Sequence, residues 1–136
     1  MKTVLAAVDL EHPQNARRIV AAAQELAKDN GQIYLITVIS MPGNSMVTSF
    51  LPKDYGHRVR DEMQTRLTQF AQEYLVEQDV KVMVRSGSVY EEIVRFGEEI
   101  DTDVTVIASG KPGKVGLGGN ALRIAQHSTH PIFILR

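Results

Sequence analysis

The stretch KTVLAAVDLEHPQNARRIVAAAQELAKDNGQIYLITVI, residues 2–39, changes its hydrophobic period twice. Residues 2–9 form an apolar run closed by Asp9, the pattern of a strand buried on both faces. From Gln14 the period turns helical, with Ile19, Ala22, Ala23 and Leu26 on one face, until Asp29-Asn30-Gly31 ends the helix. Residues 32–39, QIYLITVI, are β-branched and apolar again, a second buried strand. Two buried strands joined by one helix read as a parallel βαβ unit with a right-handed crossover.

The alternation continues to the end of the chain. Val59, Met63, Leu67, Phe70 and Tyr74 mark one face of a long helix, and VKVMV at 80–84 is a third strand. Ser88 with Glu91 has the form of a capping box, opening a helix through Ile93, Phe96, Gly97 and Ile100. VTVIAS at 104–109 is a fourth strand, a helix covers 120–126, and PIFILR at 131–136 is a fifth strand. The order βαβαβαβαβ predicts an α/β fold, a doubly wound five-stranded parallel sheet of the flavodoxin or Rossmann kind. The expected strand order is 3-2-1-4-5, with residues 1–136 forming one domain. Segment 41–56, MPGNSMVTSFLPKDYG, is long for a routine connection and follows the second strand, where it is expected to act as a lid.

Bulk properties narrow the function. The chain has 136 residues, 43% of them hydrophobic and 23% charged, as in an ordinary globular protein. A net charge of −1 supplies no electrostatic pull toward nucleic acid or an anionic membrane. With no cysteine there is neither a disulfide framework nor a thiolate metal site. The N-terminal apolar run turns acidic at Asp9 and Glu11, which reads as a strand rather than a signal peptide. No apolar run approaches the roughly 18 residues of a membrane span. A cytoplasmic protein is expected.

In an open parallel sheet, ligands bind beyond the carboxyl ends of the strands where the strand order reverses, here between strands one and four. Asp9 ends strand one. SGKPGKVGLGGN, residues 109–120, leaves strand four with six glycines or prolines and two lysines. Gly118, Gly119 and Asn120 open the following helix, whose free N–H groups favour an anion, and Lys111 and Lys114 add positive charge. Asp9 would repel phosphate but suits the hydroxyls of a ribose. Acid at the sugar and helix N-terminus at the phosphates describes a nucleotide. Two plainer readings stay open: Asp9 as a cap or holder of the turn at EHPQN, and the glycines as mere turn formers.

Other motifs fail on inspection. Gly113-Lys114 is followed by Val115, not the Ser or Thr of a phosphate-binding P-loop. GLGGNA at 116–121 matches a dinucleotide pattern but lies in the last βα unit, with no acid about 20 residues on. His12, His57, His127 and His130 lack metal-ligand spacing and read as surface histidines. No nucleophile stands beside an evident base. A receiver domain would need an aspartate at the end of strand three, where Val84, Arg85 and Ser86 stand instead.

VLAAVD at 4–9, LITVIS at 35–40, GSVYEEI at 87–93, DVTVIAS at 103–109 and GGNALRIAQHSTHPIFILR at 118–136 together resemble the universal stress protein family across essentially the whole chain. The resemblance implies a stress-induced regulator, often dimeric, with one branch that binds ATP. It places the family's strand-one aspartate on Asp9 and its adenine-side valine on Val38, with Ala7 where a proline is common. The ATP-binding branch carries Gly-x2-Gly-x9-Gly-Ser/Thr after strand four. Its first two glycines fall on Ala108 and Lys111 here, or on Gly110 and Gly113 by another count, and its Gly-Ser/Thr on Gly118-Gly119. The loop is shorter than the family's, and Ser109, Lys111 and the amide of Asn120 are the groups available to compensate.

The expectation is therefore a regulator binding ATP, ADP or AMP, with magnesium as the phosphates' counterion and at most slow hydrolysis of ATP. The alternative is a stress-response interaction protein that binds no nucleotide. Ile132, Phe133, Ile134 and Leu135 are apolar on both faces of an edge strand, which predicts a homodimer paired antiparallel through Pro131–Arg136.

Overall fold

The computed structural model describes residues 1–40, 53–110 and 116–136. Strands are β1 (Thr3–Ala7), β2 (Gln32–Ile39), β3 (Asp79–Ser86), β4 (Val104–Ala108) and β5 (Ile132–Leu135). Helices are α1 (Pro13–Ala27), α2 (Tyr55–Tyr74), α3 (Val89–Glu99) and α4 (Gly119–His127). All four strand pairings are parallel and the order is β3-β2-β1-β4-β5. The sequence-based expectation of the sheet thus matches in strand number, direction and order.

Period-two alternation divides the core into two layers. Val4 and Ala6 of β1, Ile33 and Leu35 of β2, and Val104 and Val106 of β4 face α1 and α2. Leu5, Ile36 and Ile107 point the other way, onto Ile93 and Phe96 of α3 and Ala121 and Ile124 of α4. Strands covered by helices on both faces must be apolar throughout, which explains their unbroken runs.

At the β3 edge the Arg85 guanidinium hydrogen-bonds the carboxylates of Glu92 and Glu99, and lies 5.0 Å from the centre of the Phe96 ring. The hydrogen bond from Arg85 holds Glu99 below the usual carboxylate range, against the opposing effect of desolvation. The same bond raises Arg85 above its ordinary value.

Several element ends differ from expectation. Helix α1 stops at Ala27, and Lys28, not a glycine, takes a positive φ of 57°. Gly31 is needed for space instead: a β-carbon there would lie 2.5 Å from the carbonyl oxygens of Ala27 and Met1. Ser88 is the N-cap of α3, yet its hydroxyl makes no capping bond; Glu91 accepts the Tyr90 hydroxyl at 3.2 Å instead of closing a capping box. Helix α2 begins at Tyr55, inside the segment read as a loop, and residues 41–52 of the expected lid lie outside the described residues.

His130 is not a surface histidine. Its side chain is 19% exposed, and Nε2 lies 3.0 Å from Asp101 Oδ1 just ahead of β4. The pair sits at the amino edge of the sheet, opposite the carboxyl ends of the strands.

Candidate functional site

Beyond the carboxyl ends of β1 and β4 lies a cavity of about 790 Å³, lined by the ends of β1, β2 and β4 and by the first turns of α1 and α4. That volume is within the usual range for a small-molecule site. Ala7, Asp9, Val38, Ala108, Ser109, Gly118, Gly119 and Asn120 all line it. Lys111, the remaining residue expected at the site, lies outside the described residues.

Asp9 follows β1, where the Val8 N–H still bonds the Ile36 carbonyl at 2.9 Å. The chain then turns, with the His12 N–H on the Asp9 carbonyl at 3.0 Å. One carboxylate oxygen of Asp9 accepts the Glu11 N–H at 2.9 Å, and the other lies 3.0 Å from His12 Nδ1. Asp9 therefore holds the turn, one of the two plainer readings of the sequence. Its side chain is also 64% exposed to the cavity mouth and solvent. Each carboxylate oxygen keeps a further lone pair for a ligand donor.

Ser109 closes β4. Its N–H bonds the Leu135 carbonyl at 2.8 Å, and its own carbonyl accepts the Gly118 N–H at 2.9 Å. That second bond brings the two ends of the glycine segment together. Gly110 and Gly116 adopt φ of 113° and 89°, conformations that L side chains rarely take. Gly118 is the N-cap of α4 and carries no side-chain cap. The N–H groups of Gly119 and Asn120 fall in the first turn, where an α-helix supplies no acceptor, at its positive end.

The cavity has two chemical sides. Val38, Ile36, Val89, Ile93, Ile107 and Ile124 build an aliphatic wall on the α3 and α4 side. Asp9, His12, Asn15, Arg17, Ser109 and Asn120 make a polar rim. A flat heteroaromatic ring suits the wall, and hydroxyls and an anion suit the rim.

His12, Asn15 and Arg17 did not emerge from motif reading. Asn15 Nδ2 donates to the Gly110 carbonyl at 2.9 Å, tying α1 to the glycine segment. One signal was present: a helix that follows strand one starts at the carboxyl edge, so its first turn must border the crevice.

The family model described as "Universal stress protein family" matches residues 1–136. Universal stress protein G of Salmonella typhimurium is 29% identical over 140 residues, covering 99% of both chains. A solved universal stress protein in complex with cAMP superposes with a TM-score of 0.63 at 19% identity, over 99% of this chain and 96% of that one. The universal stress protein from Archaeoglobus fulgidus in complex with dAMP gives a TM-score of 0.61 at 17% identity, over 100% and 98%.

Proposed function

The chain belongs to the universal stress protein family, and from that membership and the crevice we propose that it is a stress-response regulator binding an adenine nucleotide. One observation carries the reading: an exposed carboxylate, an uncapped helix N-terminus and an aliphatic wall converge on a single cavity. In this reading the base lies on Val38 and its aliphatic neighbours, and Asp9 accepts hydrogen bonds from ribose. The phosphates meet the N–H groups of Gly119 and Asn120, with Ser109 and Lys111 beside them. Relatives of the same fold solved with cAMP and dAMP support a monophosphate as the first ligand to test.

Magnesium enters as the counterion of the phosphates, held by them and by water. The protein acts as a sensor in the cytoplasm, with residues 1–136 as its one domain, and any hydrolysis of ATP is slow. Strand β5, at the sheet edge with Phe133 exposed, is the proposed contact with a second copy.

A second reading, an interaction protein without a nucleotide, is favoured by one observation. Both carboxylate oxygens of Asp9 already have protein partners. Mass spectrometry of the purified, denatured protein, followed by calorimetry with AMP, ADP and ATP, separates the two. Binding at micromolar to low-millimolar concentrations supports the nucleotide reading, and no heat with any of the three leaves the interaction protein.

A further inference from the structure

We propose that Asn15 is a positioning residue for the phosphate side of the crevice, holding the glycine segment at Gly110 in an orientation set by Arg18. This inference rests on the nucleotide reading above.

Asn15 stands in the first turn of α1 and lines the cavity. Its Nδ2 lies 2.9 Å from the Gly110 carbonyl, and its Oδ1 accepts a hydrogen bond from Arg18 Nη1 at 3.3 Å. The second guanidinium nitrogen of Arg18 donates to the main-chain oxygen of Arg136 at 2.7 Å, just past β5. Chemistry fixes the direction of this chain. A guanidinium has only donors, so the amide must turn its oxygen to Arg18 and its NH₂ to Gly110, whose carbonyl can only accept.

Gly110 is where the polypeptide leaves β4 for the glycine segment, at φ 113°. A glycine peptide left unheld has both signs of φ open to it. The segment is therefore fixed at two points: Gly118 on the Ser109 carbonyl, and Gly110 on the Asn15 side chain. Asp9 and Val38, which take the nucleoside in this reading, make no bond within this chain of contacts. Loss of Asn15 should then penalise ligands that carry phosphate and spare those that do not.

Calorimetry with adenosine, AMP and ADP on the unmutated protein, Asn15→Ala, Asn15→Asp and Arg18→Ala tests this, with thermal melts to verify folding. Asn15→Ala should weaken AMP and ADP by about fivefold, the loss of roughly one hydrogen bond, and leave adenosine within about twofold. Asn15→Asp, which sets a carboxylate against the Gly110 carbonyl, should weaken them at least as much. Arg18→Ala should show the same split more weakly, and serves if the Asn15 variants fail to fold. Equal losses for adenosine and AMP, or no loss for either, would overturn the assignment while leaving the nucleotide reading intact. An unmutated protein that binds none of the three ligands overturns both.

Discussion

Asp9 and His12 meet across a single turn, Oδ2 to Nδ1 at 3.0 Å, with 64% and 69% of their side chains exposed. The carboxylate is thus braced by its own turn while it faces the crevice. Asp9→Asn keeps an acceptor for the Glu11 N–H but removes the charge. It should lower adenosine affinity severalfold with little change in melting temperature. Asp9→Ala removes both functions and should lower adenosine affinity further and melt earlier. Unchanged adenosine binding in Asp9→Ala, by calorimetry, would leave Asp9 as a turn holder only.

Gly118 and Gly119 are neighbours with opposite tolerance. A β-carbon on Gly118 would lie 3.0 Å from the Ser109 carbonyl oxygen, whereas one on Gly119 meets nothing within 4 Å. Gly118→Val should therefore disturb the neck of the glycine segment itself, lowering thermal stability as well as phosphate binding. Gly119→Ser places a hydroxyl at the start of α4, where the family motif carries Ser or Thr. It should tighten AMP by about fivefold, one added hydrogen bond, with an unchanged melting curve. Weaker AMP binding by Gly119→Ser would contradict the phosphate placement.

Gly31→Ala has no room. The new methyl would sit 2.5 Å from two carbonyl oxygens, of Ala27 and Met1, and backbone oxygens cannot rotate away. A loss of about 1–3 kcal/mol is expected, as for overpacked sites generally, read from urea unfolding.

The sheet was legible because burial on both faces leaves no alternative to apolar strands, as in TVLAA of β1 and VTVIA of β4. Their order followed from crossover geometry. The crevice residues Asp9, Gly118 and Gly119 were legible for a related reason, since they sit at strand and helix ends whose location the fold dictates. What escaped was tertiary. That Gly31 is needed for space rather than for a positive φ depends on how closely the Ala27 and Met1 carbonyls pass it. That Asn15 reaches Gly110 depends on the packing of α1 beside β4. Ser88 and Glu91 have the spacing of a capping box, but Tyr90 takes the Glu91 carboxylate.

Acid should loosen α3 from the sheet edge. Glu99 titrates lower in the folded protein than in the unfolded chain, held down by Arg85. A lowered carboxylate contributes stability that is complete above its unfolded value and fades as pH falls through the carboxylate range toward the folded one. Arg85 stays charged throughout. Glu99→Gln should therefore lower the urea midpoint at pH 7, and the gap from the unmutated protein should narrow on acidification to about pH 3, below the reference carboxylate values. A gap independent of pH would mean that Glu99 acts by packing alone.

For the proposed dimer, Phe133 is a cleaner probe than Ile134. Phe133 is 41% exposed, while Ile134 packs against the core beneath α3 and α4. Phe133→Glu should shift the protein from dimer to monomer in light scattering during size exclusion, with adenosine and AMP affinities unchanged. Ile134→Lys should both dissociate and destabilise it. A Phe133→Glu variant that remains dimeric at tens of micromolar would place the contact elsewhere.

The bond from Gly118 to the Ser109 carbonyl makes residues 110–117 an insert mounted on fixed posts. Because its ends already touch, changing its length alters closure entropy only slowly, by about 0.6 kcal/mol per doubling, and need move neither β4 nor α4. A chain can thus exchange this cassette for a shorter, longer or differently charged one and still fold the same way. Divergence in what the crevice captures is then separable from divergence in the scaffold, and the segment becomes the natural place to graft a new specificity.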